Sequence, residues 1–461
     1  MDASLFSRLA LSPALLQSLD SLDYKTMTPI QAQSLPHILE GKDVIGQART
    51  GSGKTAAFGL GLLSVLDPER VAVQGLVLCP TRELADQIAK EIRRLARCIP
   101  NIKLLTLCGG MPLWPQAASL EHAPHLIVGT PGRIQEHLQK QTLDLSALKM
   151  LVLDEADRML DMGFEKAIAD ILTQVPRQRQ TLLFSATFPD EIRAVSKRVQ
   201  RAPVEITLDA PQDAQVQIRQ QFYEVEFARK TDALAYLLST HRPESVVVFC
   251  NTRRDVQDVS DRLRQRRFSV LALHGDLEQR DRDEVLVRFA NGSCSILVAT
   301  DVAARGLDIK SLSMVISYEL PDDPDVHVHR VGRTGRAGAT GLALHLSSPR
   351  ERHRATAIQA QLAEPIVWTP LEVPASAQDR PVQPKMVTYC VDGGRKEKVR
   401  PGDILGALTG DGGLAGTDVG KINTFDLRTY VAIDRKVAAS AFARLRDGKI
   451  KNRNFRIRPL D

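Results

Sequence analysis

Cysteine is scarce in this chain: six residues in 461, none of them in a Cys-x-x-Cys pair. That spacing excludes the usual structural zinc sites and a disulfide framework. Cys79, Cys108 and Cys250 follow apolar runs that read as buried strands, so a reduced, cytoplasmic protein is expected. Long hydrophobic runs are also missing. The longest, Thr55 to Leu66, is about twelve residues and contains two glycines, too short to span a bilayer. The first residues, Met-Asp-Ala-Ser-Leu-Phe, lack a basic stretch followed by an apolar core, so no secretory signal is expected there. Hydrophobic residues at 43% and charged residues at 25% exclude a mainly disordered, collagenous or membrane-bundle chain. The length allows about three domains at ~150 residues each.

Charge is unevenly placed. Residues 383–461 hold 16 Lys and Arg against 9 Asp and Glu, an excess of +7, and the rest of the chain holds 45 against 46. A small basic module on a near-neutral body points to a polyanion partner such as nucleic acid, or to a merely solubilising surface.

Short apolar runs alternate with helical patterns. Leu76-Val77-Leu78, Leu126-Ile127-Val128, Leu151-Val152-Leu153 and Leu182-Leu183-Phe184 occur in the first half. Val246-Val247-Val248-Phe249, Ile296-Leu297-Val298 and Val315-Ile316 occur in the second. Continuous apolar strands separated by helices predict parallel sheets covered on both faces. The halves resemble each other. Leu78-Cys79-Pro80-Thr81-Arg82 matches Phe249-Cys250-Asn251-Thr252-Arg253, and Leu126 to Thr130 matches Ile296 to Thr300. A duplicated α/β domain is the economical reading, with ligands at the strand ends. Asp209 to Asp213 reads as a polar joint, and Glu364 to Pro384, with five prolines, as an extended linker. The expected domains are 1–208, 216–364 and 385–461, with a linker over 365–384.

Val44-Ile45 leads into Ala48-Arg49-Thr50-Gly51-Ser52-Gly53-Lys54-Thr55 and then a helix. The glycines let backbone N–H groups curl around phosphate oxygens. Lys54 supplies a point charge for the β/γ-phosphates, and the Thr55 hydroxyl a ligand for Mg²⁺. Ala48 stands where the general pattern has Gly. Met150 to Leu153 reads as a buried strand ending in Asp154-Glu155-Ala156-Asp157. Asp154 is placed to hold Mg²⁺, largely through water, and Glu155 to deprotonate the attacking water. His329-Arg330-Val331-Gly332-Arg333-Thr334-Gly335-Arg336 puts Arg333 and Arg336 three residues apart, on one face of a helical turn. Two guanidiniums there can clamp a transferring phosphoryl group, so hydrolysis would require the two halves to close.

Together these motifs resemble the DEAD-box RNA helicases over residues 6–348. Asp23 to Gln31 resembles the adenine-reading Q motif, with Phe6 in the place of its upstream aromatic. Asp23 and Met27 depart from the commoner Gly and Pro, but Tyr24 and Gln31 stand ready to stack on and read adenine. Pro80 to Leu84, Gly109-Gly110 and Thr130 to Arg133 resemble RNA-backbone motifs, and Phe249 to Asn251, Gln279 to Arg282 and Ala299 to Asp308 in the second half resemble further motifs of the family. The resemblance implies two RecA-like domains and an ATP site that also includes Asp308. It implies coupling of hydrolysis to unwinding through Ser185, Thr187 and His329. It also implies RNA phosphates held by Thr81, Arg82, Gly110, Thr130 and Arg133, and by Asn251, Arg253, Gly275 and Thr300.

The segment after the linker reads βαββαβ: Met386 to Val391, Asp403 to Leu408, Lys421 to Phe425, Thr429 to Ile433, Val437 to Arg446 and Phe455 to Arg458. That order predicts a ferredoxin-like, RNA-recognition (RRM-like) α+β module. Its aromatic platform is thin, with Tyr430 and Phe455, so basic loops are the better RNA candidates: Arg395, Lys396, Lys398 and Arg400, and Lys449 and Lys451. Arg400 to Asp411 and Cys108-Gly109-Gly110 resemble the bacterial DbpA subfamily. That resemblance implies a 23S ribosomal RNA hairpin as target, large-subunit precursor particles as partners, and no membrane role. The motifs serve equally an ATP-gated RNA clamp, or a general RNA helicase without a ribosomal target. The sequence leaves oligomeric state open.

Overall fold

Apolar runs without polar alternation become strands buried on both faces. The computed structural model describes residues 5–48, 51–188, 190–208, 218–304, 312–335, 341–360, 362, 365–374, 379–410 and 412–460. In the first half, β1 (Val44–Gln47), β2 (Gly75–Leu78), β3 (Leu104–Leu107), β4 (Leu126–Gly129), β5 (Met150–Asp154), β6 (Gln180–Ser185) and β7 (Val204–Thr207) form one parallel sheet. Its order is β3-β4-β2-β5-β6-β1-β7. Along β5, Met150 and Val152 enter one core and Leu151 and Leu153 the other, so both faces are covered by helices.

The second half repeats the arrangement. β8 (Ile218–Glu224), β9 (Val246–Cys250), β10 (Val270–Leu273), β11 (Ile296–Thr300), β12 (Met314–Ser317), β13 (Gly341–Ser347) and β14 (Trp368–Thr369) pair in parallel. Their order is β10-β11-β9-β12-β13-β8-β14, each strand seven places after its counterpart in the first sheet. The internal duplication read from the sequence is therefore a duplication of topology. The chain divides into two compact units, the first built almost wholly from residues before 214 and the second from those after.

The C-terminal segment belongs to the second unit. β15 (Met386–Val391), β16 (Val419–Thr424), β17 (Thr429–Asp434) and β18 (Ile457–Leu460) form an antiparallel sheet in the order β16-β17-β15-β18. With helices Pro401–Thr409 and Ala438–Asp447 this gives the expected βαββαβ arrangement. Tyr389, Val391, Val431 and Ile433 face those helices and pack with Ile404, Leu408, Ala441 and Leu445. Thr388, Cys390 and Tyr430 alternate onto the other face, which is covered. Val287 of the preceding domain packs with Cys390 and Tyr430, and Thr388 Oγ1 accepts from Asn291 Nδ2 at 2.8 Å. Lys421 Nζ adds a bond to the Ala290 carbonyl at 2.8 Å.

The linker expectation needs correction. Trp368–Thr369 is the edge strand of the second sheet, and Leu371 and Val373 pack on that domain's core. Further along, Asp379 pairs with Arg266 at 3.7 Å and the Arg380 amide donates to Ser239 at 3.0 Å. The prolines favour an extended backbone, and an edge strand uses such a backbone with only one side hydrogen-bonded. The joint at residues 209–213 lies outside the described residues. No helix among the described residues is long and apolar enough to cross a membrane.

Candidate active site and nucleic-acid interface

The nucleotide candidates sit where β1 gives way to the helix Lys54–Val65. Gly51 and Gly53 have φ of +86° and +97°, the left-handed region that glycine enters without strain. Gly53 is also tightly held: a Cβ there would fall 2.5 Å from Gln31 Nε2. Gln31 donates from Nε2 to the Gly53 carbonyl (3.0 Å) and accepts at Oε1 from the Thr28 amide (2.8 Å). A Gln side chain has two donors and two lone pairs, so one of each is left to address a base edge. Tyr24 lies beside buried Phe6, with ring centroids 6.5 Å apart, and its hydroxyl donates to Glu91 at 2.8 Å. Lys54 is buried and donates to the Ala48 carbonyl at 2.9 Å, and the Ala48 amide is tied to the Ser185 carbonyl at 3.0 Å. Thr55 is half-buried on the first turn. Arg49 and Thr50 lie outside the described residues.

β5 delivers Asp154 as its last residue, 3% exposed. Burial pushes this carboxyl up to about 6, against the pull of Lys54, with Glu155 adding to the rise. Glu155 follows in the left-handed region (φ 53°) as the cap of the helix Ala156–Asp161, and its carboxylate is 3.7 Å from Arg158. Asp157 completes the motif, and sequence reasoning gave it no role. Its Oδ2 accepts from the amides of Ala186 (3.2 Å) and Thr187 (3.0 Å) and from the Thr187 hydroxyl (3.0 Å). Its own amide donates to Ser185 Oγ at 3.3 Å. Burial alone would raise this carboxyl, but bonds from Thr187 and Ser185 and the nearby Arg158 hold it below the usual range. The fourth letter of the Asp-Glu-Ala-Asp run was the available signal.

The donors fit a hydrated Mg²⁺ and a phosphate chain. Thr55 and Asp154 offer hard oxygen ligands, and Ser52 Oγ is buried with no hydrogen-bond partner among the described residues. The described residues include no cluster of three His, Cys, Asp or Glu that would hold a metal alone. A Mg²⁺ carried with nucleotide phosphates and water needs no such cage.

Among the RNA candidates of the first unit, Arg82 and Arg133 both meet one strap, residues 109–116. Thr81 caps the helix Arg82–Leu95 through Leu84 N (3.3 Å). Gly110 (φ +70°) lies so close to Arg82 that a Cβ would fall 1.7 Å from its guanidinium. Thr130 opens the helix Pro131–Gln139. Arg133 turns inward: it donates to the Met111 carbonyl (2.8 Å) and to Gln116 (3.0 Å), and pairs with Glu136 at 3.1 Å.

In the second unit the unforeseen centre is Arg330, 1% exposed. It pairs bidentately with Asp301 (2.8 and 2.7 Å), donates to Asn251 Oδ1 (2.7 Å) and to the Glu319 carbonyl (2.6 Å), and lies over the Phe249 ring. Asn251 is thereby drawn inward, its own amide group donating to Leu320 O at 2.9 Å. Arg253 is exposed, pairs with Asp276 and lies against Gly275. Thr300 ends β11 and accepts from the Ala303 amide at 3.4 Å. His329 is on the helix Pro324–Val331, and Arg333 follows that helix, its amide bonded to the Arg330 carbonyl. Asp308 and Arg336 lie outside the described residues.

On the C-terminal module the two basic runs meet. Arg395, Lys396, Lys398 and Arg400 are exposed while Val399 anchors in the core, and Lys449 and Lys451 are exposed while Ile450 anchors. Lys451 Nζ donates to the Lys398 carbonyl at 3.2 Å, bringing the runs together. Tyr430, 2% exposed, is covered, so it offers no open stacking face.

Comparison with known proteins agrees with this geometry. The DEAD/DEAH box helicase family matches residues 28–195, the helicase conserved C-terminal domain residues 229–338, and the DbpA RNA binding domain residues 388–459. The chain is 58% identical to the ATP-dependent RNA helicase DbpA of Escherichia coli over 451 residues, 98% of each chain. It is 47% identical to the DEAD-box ATP-dependent RNA helicase CshA of Bacillus cereus, over 75% of this chain and 66% of that protein. The structure of S. cerevisiae Dbp5 bound to RNA and ADP BeF3 superposes with a TM-score of 0.71 at 29% identity, covering 80% of this chain and 96% of that one. A Gly-rich phosphate loop, an Asp-Glu-Ala-Asp strand end, two sheets of one topology and a C-terminal RNA-binding module all lead to one assignment: the chain belongs to the DEAD-box ATP-dependent RNA helicases.

Proposed function

We propose that this helicase separates short RNA duplexes locally in 23S ribosomal RNA during assembly of the large subunit. The observation that carries the coupling is Asp157. One buried carboxylate joins the strand end that bears Asp154 and Glu155 to Ala186 and Thr187, just past Ser185 at the end of β6. A change at the γ-phosphate is thereby passed to a neighbouring loop by bonds rather than by distance.

In this reading the amides around Gly51, Ser52 and Gly53 and the Lys54 ammonium hold the phosphates. Thr55 and Asp154 would hold Mg²⁺, which neutralises charge building on the leaving phosphate. Glu155 takes a proton from the attacking water. Arg333 and Arg336, from the second unit, stabilise the transferring phosphoryl group, so turnover waits on closure. Arg82, Gly110 and Thr130 grip RNA phosphates while Arg133 positions the strap, and Arg253, Gly275 and Thr300 continue the track. Phosphates carry no sequence information, so target choice falls to the paired basic runs of the C-terminal module. The ribosomal target follows from likeness to the DbpA subfamily, across the RNA-binding module included.

The test measures ATP turnover and strand separation together, with a 23S-derived hairpin and with scrambled RNA. Turnover with separation, at lower concentrations of the ribosomal RNA, is expected. Turnover without separation would favour the ATP-gated clamp. Equal response to both RNAs would remove the ribosomal target.

A further inference from the structure

Trp114 is one of two tryptophans in the chain, and 73% of it is exposed. Three residues earlier Met111 is 51% exposed, and no residue of the helix Leu113–Leu120 is buried. A large indole left in water contributes nothing to the core, and tryptophan is enriched where it meets a partner.

The segment carrying it is fastened firmly at both ends. Arg133 donates to the Met111 carbonyl (2.8 Å) on one side of Trp114 and to Gln116 (3.0 Å) on the other. Gln116 in turn donates to the Cys108 carbonyl at 3.0 Å and lies 3.2 Å from His137. Pro112 and Pro115 restrict the backbone beside the indole. Order without burial is the signature of a preformed contact surface. Gly110, pressed against the Arg82 guanidinium, lies four residues upstream, within about 14 Å of chain. Cationic phosphate grips beside an exposed aromatic are the two parts of a single-strand nucleic-acid site.

We propose that Trp114, with Met111 on the same strap, is a stacking platform for an unpaired RNA base at the edge of the first unit's phosphate track. The occupant is a base and not a protein segment, because the platform continues the candidate track and RNA is this enzyme's partner. The platform holds one base out of its duplex without reading its identity, since every base has a π-face. The inference rests on the reading of Arg82 and Gly110 as phosphate contacts.

The experiment uses the full chain carrying Trp368→Phe, which leaves Trp114 as the sole indole. Its fluorescence is titrated with a single-stranded oligouridylate in the presence of a non-hydrolysable ATP analogue, and with the same oligomer made abasic. Quenching by the first and not by the second is expected. Trp114→Ala should bind the ordinary oligomer about 5- to 150-fold more weakly and the abasic one unchanged. Trp114→Phe should recover most of the loss. Arg82→Ala should weaken both oligomers alike, which tests the track separately. Unchanged affinity in Trp114→Ala while Arg82→Ala still weakens binding would overturn the platform and leave the track standing. If Arg82→Ala binds both oligomers normally, the track reading falls, and the platform falls with it.

Discussion

Two helices in corresponding places each open with a buried lysine, and the two lysines do different things. Lys54 begins the helix after β1, and Lys230 begins the helix after β8, the same strand of the repeated sheet. Lys54 reaches the carbonyl of a Gly-rich loop and lies in the field of Asp154. Lys230, wholly buried, bonds to Glu351 at 2.5 Å and to the Tyr318 carbonyl at 2.9 Å. Burial lowers its pKa and Glu351 works against that. Between β8 and Lys230 the chain is Val-Glu-Phe-Ala-Arg, with no glycine to form a phosphate cradle. One fold thus ties its lysine to a loop carbonyl in one copy and pairs it with its own carboxylate in the other. A topology supplies positions, and the local sequence decides whether a position becomes a site.

The largest expected effect lies at Glu155. Glu155→Gln should keep nucleotide affinity but slow RNA-stimulated turnover by about 10²–10⁴-fold, since an amide takes no proton from water. Steady-state turnover beside a binding titration checks it, and near-normal turnover would remove Glu155 from its role. Next comes Lys230→Ala, which strands Glu351 in the interior. It should destabilise the protein by about 3–5 kcal/mol in urea unfolding and leave ATP affinity as it was.

Acid should act on the second sheet before the first. His345 is fully buried, stacks on Phe222 at 4.4 Å and has no hydrogen-bond partner among the described residues. His327 Nε2 donates to Gln220 Oε1 at 3.0 Å, and burial, then Arg330, push its pKa down to about 4. Burial, with His327 and Arg330 adding to it, pushes His345 down as well. Their neutral forms are favoured in the folded state. For His327 the associated stability is whole above pH ~6.5 and is lost as pH falls toward about 4, on the order of 3 kcal/mol. His345→Phe should flatten that slope in urea titrations at pH 7 and pH 5.

A smaller effect belongs to Asp154. Its carboxyl, raised to about 6, is partly protonated just below neutrality, so ATPase at limiting Mg²⁺ should fall as pH drops through 6 and recover with added Mg²⁺. Here the sign for stability is opposite: a raised carboxyl favours folding as pH falls, so reduced activity at pH 6 should not be accompanied by loss from this group.

The strands were legible because Leu151-Val152-Leu153 and its counterparts are apolar on both faces, which only a covered parallel sheet tolerates. The phosphate loop was legible because glycine, lysine and threonine at that spacing have few other uses. Arg330 was not legible. It sits in a motif read for Arg333 and Arg336 as phosphoryl clamps, and nothing local says that its partners, Asn251 and Asp301, are 79 and 29 residues away. The resemblance placed Asn251 among the RNA contacts, and its tie to Arg330 was equally absent from the local sequence. Tyr430 was legible as a sheet-face aromatic, but not as one covered by Val287 of another domain. The proline-rich stretch read as a linker because composition reports an extended backbone and not what lies beside it.

The most direct test of this division of labour sets the two lysines against each other in one nucleotide-binding measurement on the full chain. Lys54→Ala is compared with Lys230→Met combined with Glu351→Leu, which removes both partners of the buried pair and so leaves no stranded charge. The first variant should lose at least tenfold in ATP affinity, and the second, with a native circular dichroism spectrum, should bind ATP as the unaltered protein does. Equal loss of ATP binding in a natively folded second variant would contradict that division.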